Sequence, residues 1–130
     1  RIKVTAASCA YTPFAVDPDP MRWCRDQGLV GLPLLGPYLR QRRHPPFAWV
    51  ELLALVAPRY LHYTYAVHDE TLPHSVFIRE DMSALGRLYD LLGCRACLGY
   101  YEHEGAHEYP VPARRAAYRL IANAFGAGAQ

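Results

Sequence analysis

Two polar stretches hold the residues best suited to acid–base chemistry: His68-Asp69-Glu70-Thr71-Leu72-Pro73 and His103-Glu104-Gly105-Ala106-His107-Glu108-Tyr109-Pro110. Each follows a run with strand character. If those two strands are parallel neighbours, both stretches emerge on one edge of the sheet and Asp69 can meet His107. A carboxylate beside an imidazole fixes its tautomer and stabilises the imidazolium, which makes the histidine a competent general base. Gly105 and Ala106 let the backbone turn tightly, presenting His107 from a short loop. Other roles are open to these residues. An Asp after a strand also serves as a turn or N-cap residue, a loop histidine is often only a surface residue, and Glu70 becomes the acid if the strand runs one residue further.

The cysteines offer a competing constellation. Cys94-x-x-Cys97 with His103 and His107 is a legitimate zinc donor set. The gap between its pairs is short, however, and a strand starting at Cys97 carries that residue away from the histidine loop. Buried, unreactive cysteines are the alternative, and no metal or other cofactor is expected. Cys9 reads as a core residue at a strand end, because no basic partner adjoins it in sequence. Four cysteines are too few for a disulfide scaffold.

Strands and helices must place these groups. Residues 2–8 read as a strand, and 59–67 and 96–102, rich in aromatic and β-branched types, as two more. Phe47, Val50 and Ala54 share a helical face between Pro45-Pro46 and Pro58. Ile78, Met82, Leu85, Tyr89 and Leu92 form one apolar stripe, with Gly93 where a C-cap belongs. In a last helix, Tyr118, Ile121 and Phe125 with Ala117 and Ala124 make the apolar side, and Arg114, Arg115 and Arg119 the wetter one. Residues 9–46 lack periodicity, with a short helix expected from Tyr38 to Arg43. They hold Pro13, Pro18, Pro20, Pro33, Pro37, Pro45 and Pro46 with Gly28, Gly31 and Gly36. So long a connection is a functional cover or a variable surface insertion. The order β–loop–α–β–α–β–α predicts an α/β fold, a mainly parallel sheet with flanking helices and right-handed crossovers. Chemistry then gathers beyond the carboxyl ends of the strands.

Composition sets outer limits. The 130 residues, 52% hydrophobic and 20% charged, exclude a disordered tail, a fibre and a coiled coil. The net charge of +2 is nearly all arginine, with Lys3 the sole lysine. The densest basic run, Arg40-Gln41-Arg42-Arg43, has no interleaved aromatics, so no nucleic-acid partner is expected. No membrane span is expected either, since no apolar run approaches the ~20 residues that one needs. The first residue is Arg1, followed at once by strand; the expectation is a C-terminal part of one domain, residues 1–130, whose preceding portion is its partner.

Together these residues resemble a known family. Ala57-Pro58-Arg59 enters a strand, Asp69 has Pro73 four residues on, Leu91-Leu92-Gly93 closes a helix, and Gly105-Ala106-His107-Glu108-Tyr109 follows. That arrangement resembles the C-terminal half of an α/β-hydrolase, nearest the dienelactone-hydrolase and acetyl-xylan-esterase-like group. The opening Arg1 to Cys9 is similar to the strand after the family's nucleophile-bearing helix, and Pro46-Phe47 through Arg59 to the approach to its acid. The resemblance implies that Asp69 is the acid and His107 the base of a catalytic triad. Tyr60 departs from a frequent proline and Ala106 from a frequent glycine. The larger departure is the Gly-x-Ser-x-Gly elbow: Ser8, Ser75 and Ser83 lie in no such context.

The resemblance therefore implies a serine hydrolase of carboxylic esters, its substrate a small-molecule ester. The nucleophile is expected upstream of Arg1, and the isolated chain is expected to be inactive. Residues 9–46 would roof the pocket, with Tyr11, Phe14 and Trp23 as candidates for its wall. A prolyl-oligopeptidase-type peptidase, a non-catalytic α/β binding module and a small zinc-binding domain are the alternatives.

Overall fold

Aromatic and β-branched residues at alternate positions fit a pleated surface covered on both sides, and Tyr-Leu-His-Tyr-Thr-Tyr-Ala forms the central strand of a three-stranded sheet. The computed structural model describes residues 2–24, 32–41, 43, 45–73 and 75–127. Strands β1 (Val4–Ser8), β2 (Tyr60–Ala66) and β3 (Leu98–His103) lie in the order β1-β2-β3. Both pairings are parallel, with Val4 opposite Tyr60, Leu61 opposite Leu98 and Ala66 opposite His103. The fold is thus α/β with a parallel sheet and flanking helices, as the element order predicts.

Alternation along β2 sorts the two layers. Leu61, Tyr63 and Tyr65 pack with Ile78, Met82, Leu85 and Tyr89 of α3 (Ser75–Leu91). Burial of Leu61, Ile78, Met82 and Leu85 contributes roughly 1.5–3 kcal/mol each relative to exposure. Helix α3 ends as its sequence dictates: Gly93 adopts φ 68° and the Cys94 N–H donates to the Tyr89 carbonyl at 2.9 Å, a Schellman closure. Leu92 lies past that end and is half exposed. On the same side, α2 (Trp49–Ala54) adds Trp49, Val50, Leu53 and Ala54 to the core. The Glu51 carboxylate accepts the Ala48 N–H at 2.6 Å and fixes its start, so Phe47 falls ahead of the helix.

His62, Thr64 and Ala66 face the opposite layer, covered by α4 (Val111–Ala124). Here the structure corrects the expected apolar side. Ala113, Ala117 and Leu120 are buried, whereas Tyr118 and Phe125 are about 60% exposed. The physical reason is close approach. A Cβ on Gly99 would meet His62 at 3.2 Å and Leu120 at 3.6 Å, so α4 rides tightly on the sheet and only small residues fit most of its contact face.

Within 9–46, the described residues fold onto the sheet. The N–H groups of Ala10 and Tyr11 donate to the Tyr63 hydroxyl at 3.0 and 3.2 Å. Buried Asp17 accepts from the Asp19 N–H, the Trp23 indole and Arg22 at 2.8, 2.7 and 3.2 Å. Short 3₁₀ turns occupy Pro20–Cys24 and Pro33–Leu35, and α1 spans Gly36–Arg40. The helix expected from Tyr38 begins earlier because Pro37, with φ preset, sits in its first turn. Gly28, Gly31 and Arg42 lie outside the described residues. No helix among those described is long and apolar enough to cross a membrane.

Candidate active site

The sheet register brings the two polar loops together. Beyond the paired strands, the Val67 N–H donates to the His103 carbonyl at 2.8 Å and the His68 N–H to the Gly105 carbonyl at 3.3 Å. These bonds stitch the loop after β2 to the loop after β3. Asp69 then turns its carboxylate inward. Its Oδ1 accepts the N–H of Thr71 at 2.9 Å and of Leu72 at 2.7 Å, an Asx turn. Its Oδ2 lies 2.9 Å from Nδ1 of His107 and its Oδ1 3.1 Å. Asp69 therefore does both things open to it: it caps a turn and it holds the histidine. Its side chain is 4% exposed and that of His107 45%, so an anchored carboxylate meets an accessible ring. Glu70 is exposed, one residue along, outside this contact.

Gly105 matters through space rather than through left-handed backbone. A Cβ there would collide with the Glu108 carboxylate and come within 2.9 Å of Nδ1 of His103, which accepts the Gly105 N–H at 3.2 Å.

A third group joins the pair. Cys9, the first residue past β1, adopts φ 45° and is buried. Its Sγ, a carboxylate oxygen of Asp69 and a ring nitrogen of His107 lie within 4.8 Å of one another. Burial pushes the Cys9 thiol up from its ordinary value, and the Asp69 charge adds to that rise. Such a thiol is mostly protonated near neutrality, unlike an activated nucleophile. Neighbours in sequence gave no hint of this contact. The strand-end rule could have found it, since Cys9, Asp69 and His107 each follow one of three adjacent parallel strands.

Beside the pair lies an apolar cavity of about 540 Å³, walled by Cys9, Trp23, Trp49, Leu52, Leu72 and His107. Trp23, one of the three candidates for a pocket wall, lines this cavity. Tyr11 does not line this cavity: it is 2% exposed in the core, against Trp49 and Tyr63, with its hydroxyl donating to Asp81 at 2.8 Å. Phe14 lines a separate depression of about 330 Å³ with Phe47, and its ring stacks on Trp49 at 4.9 Å between centroids.

The zinc set of Cys94, Cys97, His103 and His107 is not assembled. Both cysteines are half-buried at the opposite end of β3 from the histidines, Cys97 in the 3₁₀ turn Arg95–Cys97 that precedes the strand. Among the described residues, the group of three or more metal-ligating side chains that does come together is Cys9, Asp69 and His107.

No protein-family model matches the chain, and no curated protein matches it. Among solved structures it is similar to Methylesterase BT1017, with 22% identity and a TM-score of 0.49 over 59% of this chain and 17% of that one. The chain thus spans less than a fifth of that protein's length.

Proposed function

We propose that this chain supplies the acid and base of a serine hydrolase acting on carboxylic esters with an apolar acyl or alcohol group. One observation carries the reading: Oδ2 of buried Asp69 lies 2.9 Å from Nδ1 of His107 at the edge of a large apolar cavity. With Nδ1–H donated to the carboxylate, Nε2 keeps its lone pair and serves as the base. It takes the proton of an attacking serine hydroxyl as the oxygen bonds to the ester carbonyl carbon. The imidazolium, stabilised by Asp69, returns that proton to the leaving alcohol as the ester bond breaks. Water repeats the sequence on the acyl-enzyme and frees the acid.

The serine comes from outside these 130 residues, from a preceding portion of the same domain. None of the three serines here lies in a Gly-x-Ser-x-Gly elbow: Ser75 donates to the Val67 carbonyl at 3.5 Å, Ser83 accepts from Arg87 at 3.2 Å, and the Ser8 hydroxyl lies 3.9 Å from the Cys9 sulfur. Without nucleophile and oxyanion hole, the isolated chain is inactive.

The test is hydrolysis of p-nitrophenyl esters by the protein translated with its preceding coding region. Activity that is lost in His107→Ala, and absent from the isolated chain, supports the reading. Ester hydrolysis that survives His107→Ala sinks it, and cleavage of peptides in place of esters moves it to a peptidase.

A further inference from the structure

Three adjacent strands each end in a different metal-binding atom: the sulfur of Cys9 after β1, the carboxylate of Asp69 after β2 and the imidazole of His107 after β3. We propose that these three residues form a binding site for a zinc-like divalent cation. The donor chemistry selects the ion. Cys9, a thiol in the metal-free protein, releases its proton to solvent as the ion binds. The resulting thiolate and the imidazole favour zinc, cobalt(II) or cadmium over magnesium or calcium, which prefer all-oxygen shells.

The geometry fits such an ion with little movement. Bonds of about 2.0–2.3 Å in a tetrahedron place neighbouring donor atoms roughly 3.3–3.8 Å apart. The three donors already lie within 4.8 Å of one another. Oδ1 of Asp69 is held by two backbone N–H groups, which anchors the carboxylate and leaves Oδ2 as the oxygen for the metal, with the exposed His107 ring making the adjustment. Cys9 and Asp69 are buried, whereas the His107 ring is 45% exposed and opens the fourth position to water. Three protein ligands and one open position are the usual pattern of a reactive rather than a purely structural zinc site.

The ion would use the carboxylate and ring that the proposed hydrolase needs for acid–base work. Occupancy therefore removes the pair from catalysis, and this consequence rests on the hydrolase reading. Binding itself does not.

The experiment is titration of metal-free protein with cobalt(II) and then zinc. One equivalent should bind with a thiolate-to-cobalt charge-transfer band, displaced by zinc. Cys9→Ser should abolish the band and weaken binding by a hundredfold or so, since loss of even an outer-shell partner costs roughly 10–100-fold. The Cys94→Ser/Cys97→Ser double variant should leave band and affinity intact. Zinc-edge absorption on the unaltered protein gives a reading that needs no variant: one sulfur at about 2.3 Å with nitrogen and oxygen neighbours at about 2.0–2.2 Å. A band that survives Cys9→Ser, a band lost in the double variant, a sulfur-free shell, or no binding below millimolar metal would each overturn the proposal. Where ester hydrolysis is present, zinc should suppress it and a chelator restore it. A protein that binds the ion at Cys9 yet hydrolyses no ester keeps the metal site and loses only the hydrolase reading.

Discussion

Oδ2 of Asp69 and Nδ1 of His107 meet at 2.9 Å across 38 residues of chain, and the other carboxylate oxygen is tied to backbone two and three residues away. The acid is thus oriented by its own loop, independently of the base. Its placement survives changes to the ring, and changes to its hydrogen-bonding type fall on the ring.

Asp69→Asn separates these duties. An amide oxygen still accepts the Thr71 and Leu72 N–H groups, so stability should change by about 1 kcal/mol or less. The amide can also donate to Nδ1, which stabilises the wrong tautomer. Ester turnover by the complete protein should fall on the order of 10⁴-fold. Parallel measurement of kcat/KM and thermal unfolding checks this; a loss of activity matched by gross unfolding would show that Asp69 serves the turn alone.

Leu52→Trp adds bulk to the wall of the cavity at a residue that makes no part of the Asp69–His107 hydrogen bond. Esters with long apolar groups should lose roughly 10-fold or more in kcat/KM, while acetate esters change little. A uniform loss over chain length would place substrate elsewhere.

His62 is 2% exposed in the α4 layer, and its Nδ1 has no hydrogen-bond partner among the described residues. Burial first, and the Arg119 charge second, hold its imidazole below the usual histidine range. The unfolded chain therefore binds the extra proton more readily. Stability is fully present above the unfolded value of about 6.5 and falls as pH drops through the lower folded value. His62→Leu should flatten that acid loss and add about 1 kcal/mol at neutral pH by removing the unpaired nitrogen. Urea midpoints at pH 7.5 and pH 5 measure both effects.

Tyr11→Phe removes the 2.8 Å bond to Asp81. Burial raises the Asp81 carboxyl above its ordinary 3.8, and the tyrosine bond works against that rise. The variant should lose about 1 kcal/mol at pH 7, a modest figure because Asp81 is partly solvated. The difference should shrink as pH falls through the raised value and the carboxyl takes a proton. Denaturation curves of both proteins across pH 3–7 test the sign.

What the sequence made legible follows from how local each cause is. The α3 stripe and its Gly93 end depend on residues within one or two turns, so they could be read directly. The approach of Asp69 to His107 followed from parallel order alone, because strand ends share an edge. The contact face of α4 is hidden in the sequence because Tyr118 and Phe125 outweigh alanines in any apolar count, whereas packing against Gly99 rewards small side chains. Tyr11 looked like a pocket wall because nothing near it in sequence shows that Tyr63 would bind its backbone and bury its ring. Cys9 has no basic partner in sequence, because its neighbours in space come from two other strand ends.

The two tryptophans of the chain, Trp23 and Trp49, touch edge to face at 4.8 Å and both wall the cavity. Ultraviolet emission excited in indole alone therefore comes from this one spot. A guest entering the cavity should change its intensity and colour while the tyrosines of the sheet stay silent. The protein carries a built-in optical gauge of occupancy, and ligands can be screened by fluorescence before any reaction is known.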